Sequence, residues 1–66
     1  MKSIYEILQT ALSEEKRLHD FYDGLLLHCN DDAVRQLVEK LKDEASKHIT
    51  MIETMMAQVR LGHSPE

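Results

Sequence analysis

Apolar residues recur along this chain at alternating spacings of three and four, and almost nothing interrupts them. From Ile4 the rhythm runs through Leu8, Ala11, Glu15, Leu18, Tyr22 and Leu25. After a polar patch at Cys29-Asn30-Asp31-Asp32 it resumes through Val34, Val38, Leu41, Ala45, His48, Ile52, Met55 and Val59. Such a period is that of helices with a heptad seam. Period-two alternation and β-branched runs are absent, so strands are not expected.

Ser3 followed by Glu6 forms a capping box, which starts helix 1 at about residue 4, and the polar patch ends it at about residue 28. Asp31 is the expected N-cap of helix 2, with Asp32 favourable in its first turn. Helix 2 is expected over about residues 32–61, with Gly62 as its stop and residues 63–66 as a frayed tail. Residues 1–62 therefore form one domain. Gly24, inside helix 1, weakens it and suggests a close helix contact. A short turn near residue 30 makes the helices antiparallel, with residues paired when their numbers sum to about 60. Leu25 then meets Val34, Leu18 meets Leu41 and Glu15 meets Ala45.

Helix 1 is also apolar on both flanks of its seam, with Tyr5, Leu12 and Leu26 on one side and Ile7 and Phe21 on the other. One partner helix cannot cover so wide a face. The expected fold is all-α: an antiparallel two-helix hairpin that dimerises into a four-helix bundle, as a homodimer or higher homo-oligomer. Length points the same way. A helical chain of 66 residues buries little against itself, and with one cysteine it has no internal disulfide to help, so a metal or a partner chain must add stability.

Composition narrows the partners. A net charge of −4 argues against a nucleic-acid surface, which needs clustered positive charge. No apolar run approaches the roughly 20 residues of a membrane span. The N-terminal residues have no apolar signal core, and a cytoplasmic location is expected.

Three polar residues intrude on the seam: Glu15, Tyr22 and His48. A buried carboxylate must be paired, protonated or bound to a cation. Glu15 and His48 lie near mid-helix, within one turn of each other in the hairpin register. A twofold crossing the bundle axis would bring two carboxylates and two imidazoles together, a donor set for a divalent first-row metal. The same pair also reads as a buried hydrogen bond that sets the register. Tyr22, one heptad after Glu15, could hydrogen-bond a glutamate ligand from behind. His19 reads as a partly exposed flank histidine, and His28 and His63 as exposed. Cys29 reads as an inert thiol, and Met51, Met55 and Met56 as core filler.

Glu15, six intervening residues and Tyr22 are similar to the first-helix motif of ferritin-like, rubrerythrin-type proteins. Asp31-Asp32-Ala33-Val34, followed by Leu41-Lys-Asp-Glu-Ala-Ser-Lys-His48, resembles their second helix. The resemblance covers about residues 8–56 and rests on a handful of positions. It implies a four-helix bundle with a di-iron carboxylate site and ferroxidase, peroxidase or iron-storage roles. It also implies a Glu three residues before His48, where this chain has Ala45. Glu44 is the neighbouring carboxylate, rotated about 100° onto the flank of Leu37 and Met51. The candidate metal ligands are thus Glu15, His48 and Glu44, with Tyr22 in support. The metal would be iron or another divalent transition ion. The alternative is a non-catalytic helical assembly or adaptor module that has lost the metal.

Overall fold

The computed structural model describes residues 2–62. It contains two helices, α1 (Ile4–His28) and α2 (Asp32–Arg60), packed as an antiparallel hairpin with extents of 47 × 19 × 14 Å. The expected tail at 63–66, His63 included, lies outside the described residues.

Local chemistry sets the helix ends. The Glu6 amide donates to Ser3 Oγ at 3.1 Å and the Ser3 amide to Glu6 Oε1 at 3.2 Å, completing the capping box. Asp31 Oδ1 accepts from the Val34 amide at 2.9 Å and so caps α2. At the other end of α2, Leu61 is the C-cap, and Gly62 follows at φ 84°, a left-handed conformation that suits glycine. The end of α1 is held by a residue of α2. Arg35 Nη1 donates to Leu26 O at 2.6 Å and to Cys29 O at 3.1 Å, satisfying carbonyls the helix leaves unpaired.

Packing is asymmetric. Only Val38, Ala45 and Met56 are buried among the described residues. Along α2 the inward positions are Arg35, Val38, Lys42, Ala45, Ile49, Ile52, Met56 and Val59, all buried or half-buried. The expected seam residues Val34, Leu41 and His48 are exposed instead. On α1 Tyr5, Leu8, Leu12, Glu15, Tyr22 and Leu26 are half-buried, whereas Ile4 and Leu25 are exposed. A heptad seam aims at the centre of a bundle, whereas two helices alone cover only one edge of it.

Ten large apolar side chains remain exposed among the described residues. Leu27 and Leu61 lie near the two ends of the hairpin. The other eight are Ile4, Ile7, Phe21 and Leu25 of α1 and Val34, Leu37, Leu41 and Met51 of α2. They form one stripe per helix, and the pocket that joins Leu18 of α1 to Leu41 of α2 puts both stripes on the same side. We call this side the open face.

The contacting pairs Glu15–His48, Asp23–Lys42 and Tyr5–Arg60 lie about one turn beyond the expected register. Helical side chains lean toward their own N-termini. In an antiparallel pair the two leans are opposed, so the residues whose tips meet have backbone positions out of level. The close helix contact suggested by Gly24 is not present in the hairpin, since a Cβ placed there meets nothing within 4 Å.

Candidate metal centre

Glu15 and His48 meet across the helix pair at mid-length. His48 Nδ1 lies 3.3 Å from both carboxylate oxygens of Glu15. Glu15 is the more enclosed, its side chain 24% exposed against 48% for His48. The contact uses Nδ1, which leaves Nε2 as the nitrogen for an ion.

The pair forms one wall of a pocket of about 150 Å³ in the middle of the open face. Tyr22 and Glu44 complete its polar lining, around a floor of Leu18, Leu41 and Ala45. The four residues singled out from the sequence thus border one pocket. Glu44 is there because the flank it shares with Leu37 and Met51 belongs to the open face. Glu44 and His48 are four residues apart and stand one above the other on α2. Glu44 also receives the Lys47 ammonium at 3.4 Å, an exposed pairing of adjacent turns that an ion can displace at small cost. Tyr22 packs against Phe21 with ring centroids 5.9 Å apart, and no hydrogen bond joins its hydroxyl to Glu15 among the described residues.

Ala45 is 3% exposed, between the helices. Its small side chain lets them close at the Glu15 layer. A carboxylate at this position would have to fit where the helices touch.

A second group of ligand atoms was not singled out from the sequence. His19, Asp20 and Asp23 each offer one within 4.8 Å of the others, a surface set able to chelate a metal ion. His19 Nδ1 is 3.6 Å from Asp20 Oδ1 and 3.8 Å from Asp23 Oδ2. The signal was available, since residues 19 and 23 are one turn apart. This group already has a cation. Lys42 Nζ is 2.6 Å from Asp23 Oδ1, which lowers the Asp23 carboxyl pKa and raises that of Lys42. Cys29 is a half-buried free thiol whose Sγ lies 3.6 Å from Asp31 O.

The described residues therefore comprise a two-helix hairpin with a His/Asp cluster able to chelate a metal and, on the open face, a pocket bordered by two carboxylates and an imidazole. No helix among them is long and apolar enough to cross a membrane. The chain matches no known family model, no curated protein and no solved structure.

Proposed function

We propose that this chain is one half of a ferritin-like, homodimeric four-helix bundle that holds a divalent transition metal, iron foremost, in the pocket of Glu15, Glu44 and His48. The observation that carries the reading is the Glu15–His48 contact, which lies in a pocket shared with Glu44 at the centre of an uncovered apolar face. Two copies would supply four carboxylates and two imidazoles, the donor count of di-metal carboxylate bundles. The spacing differs from the usual Glu-x-x-His, because Glu44 precedes His48 by four residues, yet both side chains border one pocket.

The chemistry that fits such a centre is oxidation of ferrous iron or reduction of peroxide. Glu15 and His48 would bind the ion from opposite helices, Glu44 would adapt its carboxylate to the changing charge, and Tyr22 would support the site from its rim. Covering the open face would exclude water and strengthen each charge interaction. Iron analysis of protein purified without added metal tests the reading, together with melting in the presence and absence of chelator. Bound metal and a melting temperature lowered by chelator are expected. Absence of bound metal, with added ferrous iron oxidising no faster than in buffer, would refute it.

A second reading is favoured by the pairing already within the pocket. Glu15 contacts His48 and Glu44 contacts Lys47, so the polar layer is partly compensated without an ion. On this reading the protein is a helical assembly module, and chelator leaves its melting unchanged.

A further inference from the structure

Helix α2 presents Leu37, Leu41, Glu44, His48, Met51 and Met55 along the open-face side, at spacings of four and three in turn. Turned end for end about the point midway between Glu44 and His48, this row falls on itself. Leu41 then lies opposite Met51, Leu37 opposite Met55, and the acid Glu44 opposite the imidazole of His48. We propose that the open face is covered by a second copy of this chain, docked antiparallel about a twofold axis that crosses α2 between Glu44 and His48. Glu44 of each copy then faces the partner's His48. The inference rests on the dimer of the proposed function but not on its metal.

Two arguments support a second copy over another occupant. The first is area. Eight large apolar side chains on this face are between 39% and 67% exposed. At roughly 100 Å² each they present about 800 Å², the share each partner contributes to a standard stable interface. The second is complementarity. The antiparallel copy opposes carboxylate to imidazole at the centre and adaptable Met to Leu on either side. A twofold along the bundle would stack α2 on the partner's α1 instead. The exposed Phe21, Leu25 and Leu37 of both copies would then crowd one end, and both copies of the slim Ala11 would sit toward the other, against the rule that large side chains pack on small ones.

Cys29 makes the test possible without a substitution, since it is the single cysteine and lies at the turn. A spin label there, measured by pulsed dipolar spectroscopy on the metal-free protein, reports where the two turns are. The hairpin is 47 Å long, so turns at opposite ends put the labels far apart, and turns at one end put them close. The expected separation is roughly 40 Å; turns side by side, with helices about 10 Å apart, would give less than ~25 Å. The short distance would overturn the antiparallel docking and leave the dimer standing. An absent dipolar signal, with a monomer mass in sedimentation, would overturn the dimer as well. A Cys29→Ser background supplies the second measurement. Mixed Leu41→Cys and Met51→Cys chains should form a disulfide about tenfold faster than either variant alone. Equal rates would contradict the proposed pairing.

Discussion

The two broad faces of the hairpin each gather histidine and carboxylate groups, and they differ in what surrounds them. On the open face Glu15, Glu44 and His48 border a pocket ringed by exposed apolar side chains. On the opposite face His19, Asp20 and Asp23 lie closer together, but Lys42 already sits on Asp23 at 2.6 Å and the Asp20 side chain is 84% exposed. Proximity of ligand atoms alone would favour the second group. Surroundings favour the first. An ion at Asp23 would share its carboxylate with the Lys42 ammonium on Oδ1, whereas one in the pocket would compete only with the exposed Lys47 on Glu44. The apolar rim adds a further difference, because covering it removes water around the pocket and makes its charges demand compensation. Ligand spacing shows where a metal could touch the chain; the cation balance of each face separates the two candidates.

Five substitutions break or sharpen this contrast, from the largest expected effect to the smallest. Ala45→Glu would create a Glu-x-x-His spacing on α2 but adds a carboxylate at a position 3% exposed. It should destabilise the metal-free protein by about 3 kcal/mol or more, read from urea denaturation, because a charge and extra volume enter the helix contact. A metal-free protein as stable as the parent would show that the helices do not close there. Glu15→Gln should weaken metal binding about 10- to 100-fold in a calorimetric titration, while His19→Ala leaves it within about threefold. Equal losses would remove the distinction between the faces.

Arg35→Ala should lower stability by about 1–2 kcal/mol in chemical denaturation without changing metal content, since it leaves the carbonyls of Leu26 and Cys29 without their charged donor. The smallest effect is that of pH on the back face. The Asp23 carboxyl pKa is lowered, chiefly by its hydrogen bond to Lys42. Its contribution is therefore fully present above the usual carboxylate pKa of about 4 and is lost as pH falls through the lowered value. The raised Lys42 pKa gives the mirror case, with a contribution present below about 10.4 and lost at higher pH. Melting temperatures of Asp23→Asn and the parent should differ slightly at neutral pH and converge in strong acid. A gap that persists there would assign the effect to packing.

What could be read from the sequence divides along the same lines. Ser3 with Glu6, and Asp31 at the start of α2, are local signals, and the helix starts follow from them. The mid-helix level of Glu15 and His48 follows from the heptad rhythm and the short turn. Which side of each stripe would face inward was not legible, because a pattern of threes and fours is the same for the core of a bundle and for one edge of a pair. For that reason Leu41 and His48 were expected between the helices and Glu44 off to one side. Arg35 and Lys42 were hidden for another reason. Their long side chains reach carbonyls and a carboxylate on α1, and only the packed hairpin shows what lies within that reach.

The most direct test of the metal assignment is a cobalt(II) titration followed by visible absorbance, a readout of the ligands around the ion. It would be run in parallel on the parent, Glu15→Gln and His19→Ala. The account predicts that bands of a bound ion develop in the parent and in His19→Ala and are lost in Glu15→Gln. Bands that survive Glu15→Gln and vanish in His19→Ala would place the metal at His19, Asp20 and Asp23 and contradict the assignment to the open face.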